Sequence, residues 1–244
     1  MTQEQQQAGG AARRVAFFGG SFDPPHLGHL AVARAARAAL VLDTVLFAPV
    51  GTQPLKAQDA ITSFEDRLAM TQLAIQDESA FEISLADAPA ASGGPNYTLE
   101  TLEKLCQQLP DSTLFFLMGA DSFFGLRKWH RAAEIPFAAR LIVASRPGES
   151  LEALNEALPP GLTMEAKALP KEQHGIAVQE FQVRNDAGQN AKLYVLPGLD
   201  IRISASEIRE RLRDARTADQ VRTWLPEAVA EYVRAQGLYR GGSV

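Results

Sequence analysis

The sequence predicts an α/β fold: an open, doubly wound parallel sheet with a small helical part toward its C-terminal end. Three observations predict it. Apolar runs at residues 15–18, 44–48, 113–118 and 139–144 have the length and continuity of strands buried on both faces. Stretches of helical period lie between them, which implies βαβ units. Glycine, aspartate and serine punctuate the places where a strand gives way to a helix, where ligands gather in such sheets.

Taken in order, the polar, Gln/Ala/Gly-rich residues 1–14 read as a disordered leader. VAFF at 15–18 is the first strand, and the Ala/Arg-rich residues 27–40 form an amphipathic helix after it. Residues 44–48 give the second strand. Ser63 is placed to cap a helix over 64–75, and 81–85 reads as a further strand. Thr98 precedes a helix over 99–109, on which Leu99, Leu102, Leu105, Leu109 and Cys106 share a face. The chain's one cysteine is therefore expected to be buried and inert.

After the strands at 113–118 and 139–144 the pattern loosens. Residues 178–184 and 192–196 alternate on either side of NDAGQ at 185–189, which predicts a β-hairpin. A helix follows over 206–213, capped by Ser204 or Ser206. Another spans 226–236, with Pro226 in its first turn and Gly237 as its stop. Neither a repeat nor an interior Gly/Ser linker interrupts the chain. Residues 15–244 thus read as one domain, with 149–196 an elaborated insert and 204–244 the helical C-terminal part.

Composition narrows the function. Among 244 residues, 46% are hydrophobic and 22% charged, so a core of ordinary size is available. The net charge of −5, without a basic block, argues against a nucleic-acid surface. No run of 18 apolar residues offers a membrane span. A lone cysteine excludes an internal disulfide framework and a cysteine metal cluster, and the expected compartment is the cytoplasm. A homo-oligomer stays open.

Chemistry concentrates in GGSFDPPHLGH, residues 19–29, which holds two of the four histidines. Gly19 and Gly20 permit positive φ and close backbone approach, and Gly28 at a helix start lets a phosphate approach free N–H groups. His26 and His29 flank it as donors to phosphate oxygens, and a polyanion would favour their charged form. Two further segments leave strands similarly: MGAD at 118–121 and ISASEIR at 203–209. The set suits phosphoryl or nucleotidyl transfer, in which positioning and charge stabilisation dominate. Neither G-x-G-x-x-G nor a P-loop occurs.

GGSFDPPHLGH resembles the signature G-G-x-F-D-P-x-H-x-G-H of the H-x-G-H nucleotidyltransferases, a Rossmann-like superfamily. The likeness runs from about residue 15 to 239. PNYTLETL at 95–102, MGADSFFGLRKW at 118–129, SRPG at 145–148 and ISASEIR extend it. Together they resemble the bacterial nicotinate-nucleotide adenylyltransferases. The resemblance implies adenylyl transfer from ATP to nicotinate mononucleotide, giving nicotinate adenine dinucleotide and pyrophosphate. Mg²⁺ would ride on the triphosphate, so no protein metal ligand is expected.

By the same resemblance, His26, His29 and Arg209 would be catalytic. Gly19, Gly20, Ser21, Gly28, Lys56, Gly119, Asp121, Arg146, Ser204 and Ser206 would bind ATP, and Thr98 and Trp129 the acceptor. Two departures stand out. Leu55 replaces the histidine that usually precedes Lys56, and Ala205 replaces a serine. Without the resemblance, Trp129 is also readable as a core aromatic, Asp121 as a cap, and Lys56 and Arg146 as solvated charges. The rivals are a sister enzyme acting on nicotinamide mononucleotide or phosphopantetheine, and a nucleotide-binding regulator without turnover.

Overall fold

The computed structural model describes residues 11–52, 62–91, 93–145, 151–167, 169–199, 203–214 and 216–240. Most of the expected leader lies outside them, but the first strand reaches back into its last residues. Strand β1 spans Arg13–Gly20, with Arg13 and Arg14 already paired to Ser112 and Thr113. The other strands are β2 (Thr44–Pro49), β3 (Phe81–Ile83), β4 (Ser112–Gly119), β5 (Arg140–Ala144), β6 (Leu162–Ala166), β7 (Lys171–Gln173), β8 (Ile176–Asn185) and β9 (Asn190–Leu196). The helices are α1 (Leu27–Leu40), α2 (Phe64–Ile75), α3 (Thr98–Gln108), α4 (Ala120–Phe124), α5 (Ile135–Ala138), α6 (Leu151–Glu156), α7 (Ala205–Arg213) and α8 (Glu227–Gln236).

Strand order is β3-β2-β1-β4-β5-β9-β8-β6, with β7 paired to β8. From β3 to β9 every pairing is parallel; β8 and β6 add antiparallel strands beyond. The expected hairpin exists. Its second strand pairs parallel to β5 through Leu141↔Leu193 to Ala144↔Leu196 and so enlarges the central sheet.

Alternation along β1 explains the two cores. Ala16 and Phe18 face one cluster with α1, α2 and α8, while Phe17 faces the other with α3 and α5. On α1, Ala33, Ala36 and Ala39 are buried, and their small side chains let the helix lie close on the sheet. Local chemistry sets the helix ends. Ser63 Oγ accepts from the Asp66 N–H at 3.0 Å, and Ser204 Oγ accepts from the Glu207 N–H at 3.2 Å. Gly237 ends α8 at φ 64°.

Four expectations need correction. β3 stops at Ile83, because the Ala86 N–H turns to Ser84 Oγ and Ala88 N–H to the Leu85 carbonyl. Leu85 is consequently exposed. Cys106 is exposed, not buried: Leu99, Leu102 and Leu105 take the inner face of α3, and short α5 leaves the rim uncovered. Its Sγ donates to the Ala138 carbonyl at 3.3 Å. Thr98 is the first helical residue of α3, with Tyr97 at the cap position, and Pro226 caps α8 from outside its first turn.

Candidate active site

Strands β1 and β4 lie side by side, so Gly20 and Gly119 end neighbouring strands on the same side of the sheet. The glycine pair is not there for positive φ. A Cβ on Gly19 would come within 2.9 Å of the Phe17 ring, and one on Gly20 within 3.2 Å of the Phe22 ring. Close approach is the requirement. The left-handed conformation falls instead on Phe22, at φ 50°. Its ring packs edge-on to Phe18, at 5.6 Å between centroids, and against His29 at 5.0 Å, contacts that offset the strain.

His26 occupies the cap position of α1 and is 5% exposed. Its backbone N–H donates to His29 Nδ1 at 3.1 Å. That bond assigns His29 the tautomer with its proton on Nε2, leaving Nε2 as a donor. The two rings stack at 3.7 Å between centroids, and His26 Nδ1 is buried without a hydrogen-bond partner. Burial pushes His26 down to about 4. Burial, then the neighbouring His26, holds His29 well below the ordinary histidine value. Both are neutral donors near pH 7 until an anion arrives.

Arg209 reaches this corner from α7. Its Nη1 donates to the Asp23 carbonyl at 2.7 Å, and its Nη2 to Ser206 Oγ at 3.3 Å. Ser204, two residues before Ser206, is engaged as the cap of α7 but keeps its own hydroxyl proton. The α1 start, both histidines, Ser206 and Arg209 therefore converge on the loop of residues 19–29. Three supporting residues escaped sequence reasoning. Buried Arg67 donates through Nη1 to the carbonyls of Ser21 (2.9 Å) and Val50 (2.8 Å), tying the ends of β1 and β2 together. A lone arginine among Phe64, Met70 and Thr71 on an inward helix face was the signal. Buried Asp87 accepts from Thr101 Oγ1 at 2.8 Å, and burial raises it to about 6. Tyr239 OH donates to Asp23 Oδ1 at 2.6 Å.

A second cluster gathers at the start of α3. The Tyr97 and His130 rings meet at 4.4 Å, bringing the start of α3 alongside the turn that carries Trp129. Trp129 also approaches Phe116 at 6.1 Å. The cap of α3 makes no side-chain hydrogen bond, so its first N–H groups remain available near Thr98. A Cβ on Gly119 would meet nothing within 4 Å, and Asp121 stands exposed in the first turn of α4. Lys56 and Arg146 lie outside the described residues.

Among the described residues, no group of three His, Cys, Asp or Glu side chains gathers as a metal site. Nor is any described helix long and apolar enough to cross a membrane. A groove of about 860 Å³ lies between α3, α5 and the β8–β9 turn. It presents Glu103, Glu134 and Asp186. Those acidic groups suit it poorly to a phosphate.

Residues 17–211 match the cytidylyltransferase-like family. A Geobacter protein described as a probable nicotinate-nucleotide adenylyltransferase is 35% identical over 93% of this chain and 98% of its own length. A Thermomicrobium roseum protein of the same description is 37% identical over 93% of this chain and 92% of its own. In structure, the chain resembles Plasmodium falciparum nicotinic acid mononucleotide adenylyltransferase complexed with NaAD. The TM-score there is 0.67 at 17% identity, over 93% of this chain and 97% of that one.

Proposed function

We infer that this chain, which belongs to the nicotinate-nucleotide adenylyltransferase family of cytidylyltransferase-like proteins, works through the paired-histidine corner described above. It transfers the adenylyl group of ATP to nicotinate mononucleotide. A 5′-phosphate oxygen of the acceptor attacks the α-phosphorus of ATP. The bond from that phosphorus to the α–β bridging oxygen breaks, and pyrophosphate leaves. The nucleophile is already ionised at neutral pH, so no general base is needed.

The observation that carries the residue roles is the convergence of Arg209, the two histidines and the α1 start on one loop. His29 Nε2 and His26 meet the phosphate oxygens, and the free N–H groups of α1 add fixed dipoles. Gly19, Gly20, Ser21 and Gly28 line the close approach. Arg209 with Ser204 and Ser206 holds the leaving end of the triphosphate. Gly119 and Asp121 border a ribose.

Thr98 and the open start of α3 receive the nicotinate carboxylate, while Trp129 stacks on the ring. A Mg²⁺ carried on the triphosphate would neutralise the departing charge, its shell filled mostly by phosphate oxygens and water.

The test is pyrophosphate release by the purified protein given ATP, Mg²⁺ and nicotinate mononucleotide. Stoichiometric pyrophosphate and dinucleotide are expected. ATP binding without turnover would return the regulator reading.

A further inference from the structure

Asp23 is 1% exposed, yet it gathers three distant parts of the chain. Its Oδ1 accepts from Tyr239 OH at 2.6 Å, from beyond the end of α8. The same oxygen accepts from Thr62 Oγ1 at 2.7 Å, just before α2. Its carbonyl accepts from Arg209 Nη1 at 2.7 Å. Side chain and carbonyl belong to one residue, so fixing the carboxylate fixes the direction in which the carbonyl can hold Arg209.

The backbone on both sides of the contact is constrained as well. Phe22 lies at φ 50° and Tyr239 at φ 63°, a region bulky residues seldom enter. Such conformations persist only where surrounding contacts over-determine them. Tyr239 is 6% exposed and packs on the same core as α1 and α2. Burial and the facing Asp23 carboxylate push the phenol up, so it remains a proton donor throughout the working range.

We propose that Tyr239 and Thr62 are positioning residues: through the Asp23 carboxylate they set where Arg209 stands relative to the His26–His29 pair. Neither touches substrate. The inference rests on the adenylyl-transfer reading, and it adds a line of action from the C-terminal turn to the leaving-group end of ATP.

Tyr239→Phe removes one oxygen and keeps the ring. Arg209 displaced by a fraction of an ångström should lower kcat about tenfold, since 1 Å misplacements cost up to about 10²-fold. KM for nicotinate mononucleotide should stay within about twofold, because the acceptor pocket is built from other elements. The same Tyr239→Phe change made on Arg209→Lys should cost less than about twofold, because residues acting through one another are not additive. Thr62→Val should repeat the loss and Thr62→Ser restore it, which keeps the test open if Tyr239→Phe folds poorly. Circular dichroism and thermal melts establish the folded fraction.

A purely structural Tyr239 lowers the melting temperature and leaves kcat per folded molecule unchanged. That result, or the full tenfold loss persisting in the Arg209→Lys background, overturns the proposal. An unmodified protein with no turnover overturns the adenylyl-transfer reading instead, so the two failures are distinct.

Discussion

The backbone N–H of His26 ends on Nδ1 of His29 at 3.1 Å, so one histidine of the pair chooses the tautomer of the other. The arrangement gives the phosphate site a donor of fixed direction before any nucleotide binds. It also makes His29 part of the packing around Phe18 and Phe22.

His29→Ala should therefore lower kcat by about 10²–10³, the usual cost of one preorganised donor. The change also orphans the His26 N–H and empties space beside two aromatic rings. A stability loss of about 1–3 kcal/mol should accompany it. Turnover per folded molecule and urea melts measure the two effects separately. Turnover within threefold of the parent would remove His29 from the chemistry.

ATP binding should take up protons. In the free protein burial holds His26 at about 4 and His29 well below its ordinary value. A triphosphate beside them favours their charged forms and raises both. Affinity for ATP should accordingly fall as pH rises above about 4, the value of free His26, until the bound rings lose their protons. Calorimetry in two buffers of different ionisation enthalpy reads the uptake directly. Heats independent of buffer would mean that both rings stay neutral donors in the complex.

Asp87 should make stability rise toward acid while the histidines make it fall. Burial raises Asp87 to about 6, so the folded state binds its proton more tightly than the unfolded one. The contribution is full below about 4 and disappears as pH climbs through 6. His26 has the opposite sign: stability is complete above about 6.5 and is lost as pH falls toward 4. Asp87→Asn should then stabilise the protein at pH 7, by up to about 3 kcal/mol for a two-unit shift. The variant should also lose stability more steeply between pH 6.5 and 4.5. Chemical melts at the two values test both halves, and equal acid sensitivity in the two proteins would contradict the assignment.

Acceptor choice should follow from the open start of α3. Nicotinate presents a carboxylate to donors that the amide NH₂ of nicotinamide does not satisfy. The protein should prefer nicotinate mononucleotide by at least about 10²-fold in kcat/KM, roughly 2.7 kcal/mol. Thr98→Val should narrow the gap, and Trp129→Ala should weaken both acceptors alike. Equal use of the two mononucleotides by the parent protein would shift the activity to the sister reaction.

Features governed by neighbours in sequence were legible. The Ala-rich period of α1 and the Ser63 cap of α2 placed both helices, because a period and a cap act within a few residues. GGSFDPPHLGH and ISASEIR pointed to the corner where His26, His29, Ser206 and Arg209 gather, because polar side chains are dense in both segments. Contacts across the fold were hidden. Arg67 reaches Ser21 over 46 positions, and Asp23 draws on Thr62 and Tyr239 over 39 and 216. Nothing within a sequence window marks such partners. Positive φ was assigned to glycines by conformational preference, yet packing placed it on Phe22. Cys106 was misjudged because periodicity gives the direction of a helix face but not whether a neighbour is long enough to cover it.

The 216 positions between Asp23 and Tyr239 also order events in time. A nascent chain emerging from the ribosome carries both histidines well before it acquires Tyr239, 216 positions after Asp23. Between those moments β1, β2 and β4 can pair and α1 can dock, since their partners are already present. The nucleotide corner is complete only once Tyr239 can reach Asp23. Growing chains that have not yet made Tyr239 should therefore hold Arg209 less firmly toward the histidine pair.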